Sequence, residues 1–152
     1  FQLGVIFEQQ AQHIDAELAL RAALERDPSN HMALNYLGYM LADRGERLHE
    51  SVQLIQRALE SDPHNGAYLD SLGWAYFKLE KWDLAETHLR QASEQLRQNS
   101  VVQDHFGDLL FKRGRYTEAI ETWERAIVGD AESIDLPTVE RKIRDARERV
   151  ER

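Results

Sequence analysis

The sequence predicts an all-α solenoid of antiparallel helix pairs, with about four repeats and a C-terminal capping helix. Glycines that follow a large apolar residue are spaced by 34, 35 and 34 residues: Leu3-Gly4, Leu37-Gly38, Leu72-Gly73 and Phe106-Gly107. A second set, spaced by 35, 34 and 34 residues, consists of alanines: Ala23, Ala58, Ala92 and Ala126. Because both sets share one period, we interpret them as the points where two helices of a repeated pair approach closely.

Each repeat consists of a first helix, a turn and a second helix. Apolar residues at helical spacing, such as Leu69 and Leu72, predict the first helix. Gly45 and Gly114 suit the left-handed backbone of the turn, and Pro63 ends a second helix because proline cannot continue one. The predicted single domain, 1–152, comprises a truncated repeat at 1–30, repeats at 31–65, 66–99 and 100–133, and a capping helix at 137–151.

The capping helix carries a narrow apolar stripe among charged residues: Val139, Ile143, Ala146 and Val150. A polar outer face is what the last unit of a repeat array needs, because no further unit covers it. The alternative is a basic helix that docks an acidic partner.

The composition excludes several classes of function. The formal net charge of −8 repels phosphate backbones, so we expect no nucleic-acid partner. No run of 18 apolar residues is present, so we expect no membrane span. The chain has no cysteine, no phosphate-binding glycine loop and no pair of histidines at metal-binding spacing. We therefore predict that it is not an enzyme and holds no cofactor or metal.

The 34-residue unit, with its Leu-Gly pair, later aromatic residue, paired alanines and closing proline, resembles the tetratricopeptide repeat. The resemblance covers residues 1–133 and implies a right-handed superhelix that binds proteins. Departures from the pattern are Ser51 in place of a small alanine, Ala11 and Glu80 in place of a turn glycine, and Arg97 and Ala131 in place of a closing proline.

Stacked helix pairs leave a concave groove lined by the first helix of each repeat. By helical phase, the peptide-binding groove residues are Asn35, Tyr36, Tyr39, Asp43, Asp70, Ser71, Trp74, Phe77, Lys78, Asp104, His105, Asp108 and Phe111. We expect the aromatic members, above all Trp74, to be exposed ligand contacts. Two alternatives stay open: Tyr39 and Phe77 pack between helices, and the acidic residues are ordinary solvated charges. Trp82 and Trp123 fall at core positions.

These features predict a non-catalytic scaffold or adaptor that binds a protein or peptide segment with apolar anchors and a positive charge. Chaperone carboxylate tails are disfavoured as ligands, because Asp104 would repel a second carboxylate. Residues 31–130 are also similar to bacterial envelope repeat lipoproteins that act as adaptors of carboxyl-terminal processing proteases. That similarity implies a partner that is a protease or an envelope complex, and it favours the periplasm or outer membrane over the cytoplasm.

The truncated first repeat predicts an alternative role as a structural oligomerisation module of a larger bacterial envelope or assembly complex. Leu3, Ile6 and Phe7 form an apolar face that no earlier helix covers. We expect such a module to form a homo-dimer through this end.

Overall fold

The computed structural model describes the backbone of residues 2–152 and the side chains of residues 11–152. Over this part of the chain the fold is all-helical, with a short 3-10 helix at Ala131–Ser133 and no strand. The α-helices are α1 (Gln2–Arg26), α2 (His31–Arg44), α3 (Leu48–Ser61), α4 (Gly66–Lys78), α5 (Trp82–Gln95), α6 (Ser100–Lys112), α7 (Tyr116–Val128) and α8 (Leu136–Glu151). Among the described residues, no helix is long and apolar enough to cross a membrane.

Three helix pairs, α2–α3, α4–α5 and α6–α7, stack along the chain, and this arrangement confirms the predicted solenoid. The first helices contact one another, α2 with α4 and α4 with α6, so they form one layer of the array. The second helices form the other layer, and each contacts the first helix of the next pair. The apolar core lies between the layers and includes Leu37, Ile55, Leu89, Phe106, Leu109 and Trp123.

Small residues stand where the two helices of a pair meet, as the repeat spacing predicts. A Cβ atom on Gly73 would lie 2.6 Å from Leu89 Cγ, and one on Gly107 would overlap the indole ring of Trp123. Ala92 and Ala126, on the facing helices, are fully buried. The helices of each pair therefore approach too closely for a larger side chain at these positions.

Local side chains define the ends of the helices. Asn30, Asn65 and Asn99 cap α2, α4 and α6, and each side-chain oxygen accepts a 3.1 Å hydrogen bond from the backbone N–H of the third helical residue. Such a cap stabilises a helix by about 1 kcal/mol. The turn residues Gly45 and Gly114 have φ angles of 70° and 78°, in the left-handed region that the sequence predicts for them.

The first repeat is one long helix, so the prediction of two helices in every unit is wrong there. Helix α1 runs unbroken from Gln2 to Arg26. Ala11 stands where other units carry a turn glycine, and alanine has the highest helix propensity of all residues. Nothing in the local sequence therefore ends the helix at that point. Ile14 and Leu18 on α1 are exposed.

Helix α8 caps the array by packing against α7. Val139, Ile143 and Ala146 of its apolar stripe are buried, whereas Val150 is exposed. The predicted capping helix is confirmed.

Two ion clusters of the same design lie two units apart. Glu17 binds Arg21 at 2.9 Å and Arg47 at 2.8 Å, and these guanidinium groups lower its pKa to about 2. Two units later, Glu86 binds Arg90 at 3.1 Å and also binds Arg115. Each cluster joins one unit to the next.

The boundary between the second and third units differs from these two. Gln56 Nε2 donates a 3.3 Å hydrogen bond to the Tyr76 hydroxyl, and no ion pair joins residues 31–65 to 66–99, where all side chains are described.

Candidate functional site

The first helices present one continuous surface on which the thirteen predicted groove residues lie at different depths. Tyr36 and Asp43 are exposed. The half-buried members are Asn35, Tyr39, Phe77, Lys78, Asp104, Asp108 and Phe111. The buried members are Asp70, Ser71, Trp74 and His105.

A hollow of about 700 Å³ lies on this surface, between the N-terminal halves of α2, α4 and α6. Its lining includes five of the predicted groove residues: Asn35, Tyr36, Tyr39, Asp70 and Ser71. Met32 and Tyr36 border it with 62% and 65% of their surface exposed. We call Met32, Asn35, Tyr36 and Tyr39 on α2 the open section of the groove.

Asn35 has an unpaired acceptor in the open section. Its Oδ1 atom is shielded from solvent and has no hydrogen-bond partner. Nearby, His31 Nδ1 and the Tyr68 hydroxyl form a 2.7 Å hydrogen bond that joins α2 to α4. Burial raises the pKa of the Tyr39 phenol, with further contributions from Asp43, Asp70 and Asp104, so this hydroxyl stays protonated.

Trp74 is not an exposed ligand contact, and the prediction of its exposure is wrong. Its ring stacks against His105 with the centroids 3.9 Å apart, and against Phe77 with the centroids 4.8 Å apart. Its Nε1–H donates a 3.2 Å hydrogen bond to Asp43, and Lys78 Nζ lies 5.0 Å from the ring centroid. These neighbours from α2, α4 and α6 together cover the indole.

Asp70 and His105 form a buried pair between α4 and α6. His105 Nδ1 lies 3.0 and 3.2 Å from the two carboxylate oxygens of Asp70. Burial lowers the pKa of His105, but Asp70, assisted by Asp108 and Asp104, outweighs burial and raises the pKa above its ordinary value. The pair therefore favours an imidazolium beside a carboxylate.

Asp104 and Asp108 are both bound by one lysine of the capping helix. Lys142 Nζ donates to Asp104 Oδ1 at 3.0 Å and to Asp108 Oδ1 at 2.8 Å. Burial raises the pKa of Asp108, and Lys142 opposes that shift. We call Asp70, Trp74, His105, Asp104 and Asp108, with Lys142, the closed section of the groove.

Phe77 packs between helices, which was the alternative to a ligand contact, because its ring contacts Trp74 and Trp82. Phe111 likewise packs on Tyr116 and Trp123. Trp123 is fully buried, as its core position predicts, and Trp82 is half-buried.

Lys142 is a groove residue that the sequence prediction omits. It follows Asp108 by 34 residues, so the repeat period extended into α8 would have identified it. The lining of the hollow also contains residues that the helical phase missed because they stand at helix ends or in a loop: His31, Asn65, Tyr68, Asn99, Asp130 and Ser133.

In the described part of the chain, no group of three or more histidine or acidic side chains could hold a metal ion. A second hollow, of about 790 Å³ beside α7, is lined by two basic and three acidic residues, so its acidic side chains are in excess: Arg97, Arg125, Glu121, Glu124 and Asp130.

The family model described as tetratricopeptide repeat matches residues 1–67, 45–100 and 71–134. The chain belongs to the tetratricopeptide repeat family. Proteins built from this repeat generally mediate protein–protein interaction and act as non-catalytic scaffolds.

Two curated relatives are similar in sequence. TPR repeat-containing protein PA4667 of Pseudomonas aeruginosa is 42% identical over 92 residues, which is 60% of this chain and 15% of the relative. Human tetratricopeptide repeat protein 7A is 27% identical over 136 residues, which is 90% of this chain and 16% of the relative. The chain thus spans a small part of the length of either relative.

Solved structures share the fold. A crystal structure of MamA superposes with a TM-score of 0.71 at 21% identity, over 93% of this chain and 80% of that one. The first repeat domain of Spaghetti (RPAP3), bound to the HSP90 peptide SRMEEVD, gives 0.70 at 19% identity, over 80% of this chain and 96% of that one. The Sgt2 domain of Aspergillus fumigatus gives 0.70 at 20% identity, over 80% and 79%.

Proposed function

We propose that the chain is a non-catalytic scaffold that holds a segment of a partner protein in the open section of its groove. The observation that carries the proposal is the hollow of about 700 Å³ with Met32 and Tyr36 exposed at its border. Large apolar side chains left exposed beside a concave surface are typical of binding sites, because they provide contact area that a ligand can cover.

The charges of the hollow favour a neutral or basic segment. Asp70 and Asp130 are the acidic residues of its lining, which contains no lysine or arginine. The RPAP3 domain holds a peptide with three acidic residues, SRMEEVD. Because Asp70 is buried and already paired with His105, such a peptide would meet the exposed carboxylate of Asp130 and no guanidinium or ammonium group here. We therefore propose an apolar, non-acidic ligand instead.

Site-specific photocrosslinking tests the proposal. A photoreactive phenylalanine analogue at position 36 of the full-length protein should crosslink to a partner in the native cell, and mass spectrometry identifies the peptide that is attached. The matched control places the same analogue at Gln53, which is exposed on the second helix of the same unit. Equal crosslinking to the same partner from both positions would reject the groove as the binding surface.

The partner that we propose is a carboxyl-terminal processing protease or another envelope complex. The resemblance of residues 31–130 to bacterial envelope adaptor lipoproteins supports this proposal, and the sequence relative in Pseudomonas aeruginosa is bacterial as well. Purified chain should form a complex with such a protease from the same organism in analytical ultracentrifugation. Independent sedimentation of the two proteins at micromolar concentration would exclude this partner.

An oligomerisation module is the second candidate, and exposed apolar residues on α1 favour it. Ile14 and Leu18 are 54% and 61% exposed. Leu3, Ile6 and Phe7, on which the dimer prediction rests, lie outside the residues whose side chains are described. Light scattering should give a dimer mass that the substitutions Ile14→Glu and Leu18→Glu reduce to a monomer mass. A monomer at high concentration before substitution would reject this candidate.

A further inference from the structure

The fourth unit and the helix before it carry polar side chains at two core positions that other units fill with leucine. Gln103 is fully buried and stands at the place of Leu34 and Leu69. Ser93, which is also buried, stands at the place of Leu59. Burial of hydrogen-bonding groups costs more than burial of leucine, so this departure from the pattern of the repeat indicates a function that packing does not require.

The two buried polar residues hold the guanidinium group of Arg125. Ser93 Oγ donates to Gln103 Oε1 at 2.8 Å, and Gln103 Nε2 donates to the carbonyl oxygens of Ser93 and Leu96 at 3.1 Å each. Gln103 Oε1 also accepts a 3.3 Å hydrogen bond from Arg125 Nε, and Arg125 Nη2 donates to the Thr122 hydroxyl at 3.3 Å. The buried carboxamide is therefore fixed by the backbone, and it fixes the orientation of the guanidinium group in turn.

Arg125 is half-buried, and within the described residues no carboxylate lies within 4 Å of it. Glu121 precedes it by four residues, the spacing of a helical ion pair, but the Arg125 side chain turns to Gln103 instead. Burial and, after it, the neighbouring Arg97 lower the pKa of Arg125, and Glu121 offsets this effect only in part. A carboxylate that arrives with a partner would therefore gain a favourable contact with both arginines.

Two of the three acidic residues that line the hollow beside α7 already have partners. Asp130 Oδ1 accepts a 2.6 Å hydrogen bond from the Ser100 backbone N–H, and Glu124 lies 3.6 Å from Arg147 of α8. Glu121 has no such partner in the described chain. Although the lining is formally acidic, it thus presents two guanidinium groups, but only one carboxylate, that lack an ionic partner among the described residues.

We propose that the hollow beside α7 is a second docking site, which binds an aspartate or glutamate side chain of a partner segment between Arg97 and Arg125. The planar fork of N–H donors on a guanidinium group matches the two oxygens of a carboxylate. A carboxylate suits the site better than a dianionic phosphate, because Glu121 repels the second charge.

Val128 gives the site an apolar side next to the arginines. It lines the same hollow and is 85% exposed, so it leaves apolar surface for the residue beside the bound carboxylate. The groove is a different surface, for which we propose a non-acidic segment. The second site therefore goes beyond the proposed function and does not depend on it.

Peptides selected on the full chain test the site. Random dodecapeptides displayed on phage are selected on the chain carrying Tyr36→Ala, which removes a contact of the groove. Fluorescence anisotropy then gives the Kd of each synthesised peptide for the unaltered chain, Arg97→Gln and Arg125→Gln. We expect acidic peptides, and we expect either substitution to weaken their binding about tenfold, the effect of losing a hydrogen bond to a charged group.

Arg57→Gln is the matched control, because Arg57 is the repeat equivalent of Arg125 on α3 and is exposed. It should leave every Kd unchanged. In the peptide, each Asp or Glu is replaced in turn by Asn or Gln. The replacement that removes the bound carboxylate should weaken binding to the unaltered chain about tenfold and should have little further effect on binding to Arg125→Gln.

A further variant tests the positioning role of Gln103. The double substitution Ser93→Leu and Gln103→Leu restores the residue types of the preceding units, so it should keep or raise the melting temperature. It should nevertheless weaken peptide binding, because Arg125 loses the hydrogen bond that orients it. If this variant does not fold, Arg125→Lys replaces it, since lysine keeps the charge but lacks the planar fork and should also weaken binding.

The outcomes separate this site from the groove. Selected peptides that bind Arg97→Gln and Arg125→Gln as tightly as the unaltered chain would overturn the second site and leave the groove function in place. Sensitivity to both arginines, without sensitivity to any acidic residue of the peptide, would overturn the carboxylate as the ligand. Unchanged binding to a folded Ser93→Leu, Gln103→Leu chain would overturn the role of Gln103 in positioning Arg125.

Discussion

Tyr36 in the open section is 65% exposed, whereas Trp74 in the closed section is 7% exposed, although both lie at groove positions of a first helix. The difference arises from the side chains that the first helix of the next unit places over each residue. Trp74 is covered by His105 of α6. Its equivalent one unit earlier, Tyr39, has the short Ser71 at the place of His105 and is only half-buried, and Tyr36 lies one turn earlier on the same helix, beside the hollow. A side chain on the concave surface is therefore not always accessible to a ligand, because side chains of the next unit can cover it.

The largest expected contrast is between two truncations. Trp74→Ala should lower the free energy of unfolding by about 3–5 kcal/mol, because it removes a buried aromatic side chain and leaves a cavity. Tyr36→Ala should change it by less than about 0.5 kcal/mol, since the side chain is exposed. Urea denaturation of both variants measures the contrast, and similar losses would contradict the division into two sections.

The packing beneath the two sections should differ in its tolerance of an added methyl group. Gly107→Ala should cost about 3 kcal/mol, because the new Cβ overlaps the rigid, buried indole of Trp123. Gly38→Ala, beneath the open section, should cost less, because its new Cβ would lie 2.5 Å from Ile55 Cγ1 and 3.1 Å from the Ser51 carbonyl oxygen, and these contacts are longer than those of a Cβ on Gly107 with the indole. Denaturation midpoints give the order, and a greater loss for Gly38→Ala would reverse it.

The capping helix should contribute to the closed section through one ammonium group. Lys142→Met should cost about 1–3 kcal/mol at neutral pH, because Asp104 and Asp108 lose their common partner while still partly exposed. Burial already raises the pKa of Asp108, so the loss should shrink as the pH falls through that pKa. The matched control is Arg144→Met on the exposed face of α8, which should have little effect.

The smallest effect should be a pH dependence confined to the closed section. The pKa of His105 in the folded chain is raised above its unfolded value of about 6.5. The stabilisation that protonated His105 provides is therefore complete at a pH below the unfolded-state pKa, and it is lost as the pH rises through the folded-state pKa. Melting temperatures of the unaltered chain and His105→Gln should converge as the pH rises from 6 to about 9. Parallel curves would show that His105 does not titrate in this range.

Periodicity alone predicts most of the fold, because glycine and alanine spacings report where helices touch. Gly73 and Gly107 stand at close approaches, and Gly45 adopts the predicted left-handed turn. The capping asparagines, such as Asn65, share the same period and were available to the same reasoning. The unbroken helix α1 was harder to predict, because the helix propensity of Ala11 competes with the repeat pattern.

The sequence predicts which residues lie on the groove surface, but not which of them are accessible to a ligand. Helical phase places Asp70 and Asp104 on the groove surface, but their partners are 35 and 38 residues away in the sequence. Such pairs depend on side-chain length and on the depth of each helix in the stack, which a hydrophobic pattern does not encode. Lys142 follows Asp108 by one repeat period, so the period extended into α8 predicts its position, but not its bond to Asp104.

Charged and uncharged boundaries between units alternate along the array, so different parts of the molecule should respond differently to ionic strength. Dissolved ions screen the charge pairs around Glu17 and Glu86, whose partners are partly exposed to water. The uncharged contact between Gln56 and Tyr76 has no such sensitivity. In concentrated salt, the contacts that join the block α2 to α5 to the units on either side should therefore weaken. The contact between the two units within this block should keep its strength.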